Sequence, residues 1–77
     1  MLDARLVEAI SEVFGLPRDE VNPKSGRDTI VGWDSIGHLK LILHVEEVFR
    51  LRFPAAQIPG LVSAAEIQKA LNSSKAS

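Results

Sequence analysis

DSIGHLKLILHVEEVFRL, residues 34–51, is the most apolar long stretch of the chain, and its reading decides the fold. On a helical projection at about 100° per residue, Leu41, Ile42, Val45, Val48 and Phe49 fall within ~80° of His38. That is the core face of an amphipathic helix. Ile36, Leu39 and Leu43 lie ~100–160° away from His38, as a second apolar stripe with Ser35 at its upper edge. Lys40, Glu46, Glu47 and Arg50 flank this stripe. Either the helix packs on both sides, as a central helix can, or the second stripe is an exposed docking surface with a charged rim. The small core of so short a chain favours the exposed surface, because two other long helices already cover one face.

Working outward, Leu2, Leu6, Val7, Ile10, Val13 and Phe14 recur at helical spacing. Asp3 reads as the N-cap, Leu2 and Val7 as a hydrophobic staple, and Gly15 followed by Pro17 as the stop. This predicts a first helix over 3–15. Residues 16–33 carry two prolines, two glycines and no sustained period, so they form a long loop. Its apolar residues Leu16, Val21, Ile30 and Val31 suggest a loop pinned to the core. The second helix begins at Asp34 or Ser35 and runs to about Leu51. Pro54 opens a short third element, PAAQI, which Pro59 and Gly60 end. Ser63 and Glu66 form a capping box, with Val62 and Ile67 as staple, for a fourth helix ending near Asn72. The predicted architecture is one all-α domain over 1–77, with a frayed tail over 72–77. It is a four-helix bundle with three longer helices, a short helix 3 and a long loop between helices 1 and 2.

The composition narrows the possible functions. Seventy-seven residues without cysteine exclude a disulfide scaffold, a thiol nucleophile and a cysteine zinc site. Nine Lys and Arg against ten Asp and Glu give a net charge of −1, without the basic excess of a nucleic-acid binder. No apolar run approaches the ~18 residues of a membrane span, so no membrane insertion is expected. The N-terminal stretch carries Asp3 and Glu8 within its amphipathic pattern and does not read as a signal peptide. A cytoplasmic monomer is the expectation.

Ser35 is the residue around which chemistry gathers. A hydrolase elbow needs G-x-S-x-G on a strand-to-helix turn, whereas here G-W-D-S-I-G has one residue too many and no strand before it. His38 lies three residues on, but it faces the core and nothing obvious orients it as a base. His38 and His44 diverge by about 240° around the helix and cannot share a metal, so a core-edge His38 and a solvent-facing His44 are expected. Asp34 is a plausible N-cap. A cap alone explains neither the long loop leading in nor the apolar stripe beginning beside the serine. A modified serine suits the position: a helix N-terminus favours a negative group on the hydroxyl, a loop–helix junction is easy for a modifying enzyme to reach, and the apolar stripe would let a partner grip the helix.

Asp34-Ser35-Ile36 opening an apolar second helix, then Glu46-Glu47-Val48-Phe49, resembles the acyl carrier proteins and related carrier domains. The resemblance spans nearly the whole chain, including the four-helix layout of acyl-carrier type, the long first loop and Phe53-Pro54 before a short helix 3. It implies that Ser35 carries 4'-phosphopantetheine, transferred from coenzyme A by a separate phosphopantetheinyl transferase, with Asp34 supporting. It implies thioester cargo on the arm's thiol, no catalysis by the chain itself, and docking through Ile36, Leu39, Lys40, Leu43 and Glu47. The implied partners are that transferase, an acyl- or aminoacyl-loading ligase or transferase, and downstream biosynthetic enzymes. A peptidyl or aminoacyl carrier of a nonribosomal-peptide-type pathway and an unmodified helical interaction domain are the alternatives.

Carriers of fatty-acid synthesis usually have a strongly acidic helix 2. Here Gly37 and Lys40 stand where that type often has carboxylates. Over 31–62, Asp34, Glu46 and Glu47 balance Lys40, Arg50 and Arg52, three minus three, for a net charge of zero. The G-W-D-S-I-G-H-L pattern is similar to that of specialised carriers of polyketide or nonribosomal-peptide systems.

Overall fold

A computed structural model describes residues 2–76, with side chains through 73. It contains three α-helices: α1 (Ala4–Phe14), α2 (Ser35–Phe49) and α3 (Ala64–Ala76). Asp3 caps α1 by accepting from the Arg5 amide at 2.8 Å. Gly15 ends it in the left-handed region at φ 66°, where a residue without Cβ is unstrained. Leu6 and Ile10 of α1, Leu41, Ile42 and Val45 of α2, and Ile67 and Leu71 of α3 are buried together. At about 25 cal/mol per Å² of apolar surface removed from water, this shared core is the main favourable term holding the helices together.

The long loop is ordered by what it does for α3. A helix leaves its first four amides without intrahelical partners. Here Ala64 N–H donates to the Ser25 carbonyl at 2.8 Å and Ala65 N–H to the Pro23 carbonyl at 3.1 Å. Glu66 N–H donates to the Ser63 hydroxyl at 3.3 Å, as the predicted cap requires. Gly26 and Ser63 form an isolated antiparallel bridge, with Arg27 N–H donating to the Val62 carbonyl at 3.1 Å. A Cβ on Gly26 would overlap that Val62 carbonyl, so the approach requires glycine. Val21, Ile30 and Trp33 are the loop's buried anchors.

The all-α reading stands; the count of four helices does not. The PAAQI stretch forms a turn at 55–57 and a 3-10 turn at Ile58–Gly60, not an α-helix. Pro59 lacks an amide donor, and the segment closes instead by i→i−3 bonds, from Gln57 N–H to the Pro54 carbonyl at 2.9 Å and from Gly60 N–H to the Gln57 carbonyl at 3.0 Å. A second 3-10 turn, Arg18–Glu20, lies in the loop. The second helix stops two residues before Leu51. Arg50 turns left-handed at φ 54°, and the Glu46 carboxylate accepts the Phe53 amide at 2.8 Å, which reverses the chain. The last helix continues past Asn72 to Ala76, so the backbone expected to fray there is helical, and Ser77 lies outside the described residues. Val31 does not pin the loop: it is fully exposed, and Trp33 takes that role. Val48 is 36% exposed rather than core, while half-buried Phe49 lies under the Arg5 guanidinium, 4.4 Å from its centroid.

Arg50 is the non-glycine residue with positive φ among the described residues. Arg50→Gly removes the steric cost of that conformation and adds unfolded-state entropy. A net gain of about 0.5 kcal/mol is expected in urea denaturation. A loss of stability would show that the arginine side chain, not the backbone, holds this end.

Candidate functional site

Ser35 is the first residue of α2 and is exposed. Its place follows from the residue before it. Asp34 has extended backbone, and its Oδ1 accepts the Gly37 amide at 2.8 Å, while its carbonyl accepts the His38 amide at 2.7 Å. This is an N-cap, and short polar side chains suit it because they reach the second or third helical amide. The amides of Ser35 and Ile36 have no hydrogen-bond partner among the described residues. The serine hydroxyl therefore stands at the positive end of a helix, beside unpaired donors.

Beneath the serine the packing is tight. Trp33, 2% exposed, stacks on Phe14 of α1 with ring centroids 5.2 Å apart. Its indole Nε1–H donates to His38 Nδ1 at 2.8 Å, across five residues. His38 Nε2 lies 2.8 Å from the Ile58 carbonyl oxygen. An indole N–H only donates and a carbonyl only accepts, so Nδ1 carries no proton and Nε2 carries one. Both ring nitrogens are thus committed, and neither is available to take a proton from Ser35. His38 is core-facing, as its wheel position predicted.

Gly37 is buried against the loop. A Cβ there would overlap the Gly32 carbonyl oxygen and lie 3.0 Å from Phe14 Cε1. The absence of a side chain at this position therefore has a packing cause. Asp34, Ile36, Gly37 and Lys40 line a shallow cleft together with Val13, Phe14 and Gly32.

The second apolar stripe is exposed. Ile36 is 67%, Leu39 55% and Leu43 64% accessible, so the reading in which α2 packs on both sides fails. Lys40, Glu47 and Arg50 are exposed beside it and take part in no ion pair among the described residues. Glu46 does not belong to this rim. It is half-buried and bonded to the Phe53 amide. His44, expected to face solvent alone, is half-buried on the α1 side, with Nε2 3.1 Å from Glu12. No group of three or more His, Cys, Asp or Glu among the described residues could hold a metal ion.

The sequence reading missed Trp33 as the anchor of the site. A lone tryptophan just before a helix cap was the available signal, since so large an apolar surface is seldom left in water. It also missed that Gly32 and Gly37 face each other. Two glycines five residues apart flanking a cap hint at a close backbone approach. No family model matches the chain, and no curated protein matches it in sequence.

Gly37→Ala forces the Gly32 carbonyl and Phe14 aside. A destabilisation of about 1–3 kcal/mol is expected in chemical denaturation, with faster amide exchange at Trp33 and Asp34, whose amides are bonded in the wild type. Unchanged stability and exchange would mean the loop yields without cost. Asp34→Ala removes only the cap and is expected to cost about 1 kcal/mol in the same measurement.

Proposed function

We propose that the chain is a carrier protein whose Ser35 bears a 4'-phosphopantetheine arm. The observation that carries this reading is the juxtaposition at one end of α2. An exposed serine hydroxyl follows a capping aspartate, and an exposed apolar stripe starts at the next residue. The residues suit the group. The hydroxyl is accessible for substitution, and the unpaired amides of Ser35 and Ile36 favour a phosphodiester's negative charge. The arm supplies a thiol that holds acyl or aminoacyl groups as thioesters, a chemistry that a chain without cysteine otherwise lacks.

Attachment is a substitution at phosphorus. The Ser35 O–H bond and a pyrophosphate bond of coenzyme A break, and an Oγ–P bond forms. The nucleotide half departs, and the serine proton passes to a base on the transferase. His38 cannot be that base, because both of its nitrogens are engaged. Ile36, Leu39 and Leu43 give the transferase, the loading enzyme and later enzymes an apolar strip to grip, with Lys40 and Glu47 beside it. Apolar anchors of this kind supply most of the affinity in small interfaces, while charges at the rim supply orientation. Neutrality over 31–62 leaves little long-range steering. The cytoplasm, with coenzyme A at hand, is the compartment this chemistry suits, and a monomer leaves the strip open to partners.

Incubated with coenzyme A and a phosphopantetheinyl transferase, the protein is expected to gain the mass of one phosphopantetheine, and Ser35→Ala to gain none. Leu39→Asp or Leu43→Asp is expected to raise the transferase KM about tenfold, the loss of roughly one apolar anchor. KM is expected to change little between low and moderate salt. Absence of any gain with several transferases would overturn the proposal. Partner capture that survives Ser35→Ala but fails with Leu43→Asp would favour an unmodified interaction domain, which the exposed stripe alone would also serve.

A further inference from the structure

We infer that Trp33 and His38 are positioning residues for the chemistry at Ser35, acting as a clamp closed over the turn that bears it. The inference rests on the reading of Ser35 as the attachment point. A serine at the first position of a helix is ordinarily a fraying residue. Here the two residues that bracket 34–37 are 2% and 6% exposed, and a 2.8 Å hydrogen bond joins their side chains. The clamp has an anchor on either side. Trp33 is stacked on Phe14 of α1, and His38 is held by the Ile58 carbonyl. The Gly32–Gly37 approach and the Asp34 cap close the same short loop from the backbone side. The exposed hydroxyl thus sits on a turn fixed at both ends in the core.

The clamp matters because a substitution at phosphorus needs the attacking oxygen held in line with the departing group. Docking through Leu39 and Leu43 brings α2 to the transferase, but it does not orient a residue one turn or more nearer the N-terminus. A loosened first turn therefore lowers the rate in the docked complex and leaves docking intact. The two halves of the clamp can be separated chemically. An asparagine at 38 places a polar atom near the Nδ1 position and can still accept from Trp33. A glutamine places one near the Nε2 position and can still donate to Ile58. Trp33→Phe keeps a ring for Phe14 but has no N–H to give.

The test uses the full chain and reads two quantities in wild type, W33F, H38N and H38Q. One is amide hydrogen exchange at positions 37 and 38, whose amides donate to the Asp34 side chain and carbonyl. The other is kcat and KM for arm transfer from coenzyme A by a phosphopantetheinyl transferase. A lost buried hydrogen bond corresponds to about tenfold, so W33F and H38Q are expected to exchange about tenfold faster at these amides. Their kcat is expected to fall by a similar factor at unchanged KM, with H38N, which keeps the Trp33 bond but not the Ile58 one, between them and wild type in both. The inference is overturned if H38Q matches wild type in exchange and kcat. It is also overturned if all three variants lose activity equally through KM, as general destabilisation would cause. If wild type accepts no arm, the proposed function fails, and exchange alone then decides the clamp.

Discussion

The hydrogen bond from the Trp33 indole to His38 Nδ1 ties together three parts of the chain that local propensity would leave apart. Through Trp33 it fixes the end of a loop whose only helical element is one 3-10 turn. Through His38 it fixes the first turns of α2. Through the opposite ring nitrogen it reaches Ile58, in a connection that forms a 3-10 turn rather than an α-helix. A buried indole or imidazole without a partner costs about 1–3 kcal/mol, so each of these groups requires the others to be in place. Among the described residues, no buried side-chain polar atom is left unpartnered. A chain with so small a core tolerates polar groups inside it only on that condition.

On this framework α2 divides its surface between two tasks. Leu41, Ile42 and Val45 face inward, while Ile36, Leu39 and Leu43 remain in water. In the proposed carrier these three exposed apolar side chains serve as the docking strip. The charges near the strip are not equivalent. Glu46 turns inward to hold the Phe53 amide, so the exposed charges beside the strip are Lys40, Glu47 and Arg50. That rim is more basic than a count along the sequence suggests. Glu47 and Arg50 sit at the far end of the helix from Asp34 and Ser35, whereas Lys40 lines the same cleft as Asp34.

The sequence made some features plain and hid others, for physical reasons. Asp3, Gly15, Asp34 and Ser63 each marked a helix end, because capping is local chemistry legible in a few residues. The two stripes of α2 were legible because helical periodicity depends only on spacing. Three features depended on distant partners and were not visible. Arg50 adopts a left-handed conformation that no local rule assigns to arginine, where the chain turns so that Glu46 accepts the Phe53 amide. Gly37 looked like a missing carboxylate, since nothing nearby announces the Gly32 carbonyl packed against it. The short third helix failed because a proline at each end suits a turn as well as a helix start.

In the proposed carrier Ser35, held on a fixed turn, is the point of attachment. Intact-mass measurement of the protein isolated from its native host, followed by peptide mapping, tests this most directly. A mass excess of one phosphopantetheine, with or without thioester cargo, located on the peptide containing Ser35, is the result the account requires. An unmodified Ser35 peptide in protein drawn from actively growing cells, or the group on another serine, would contradict it.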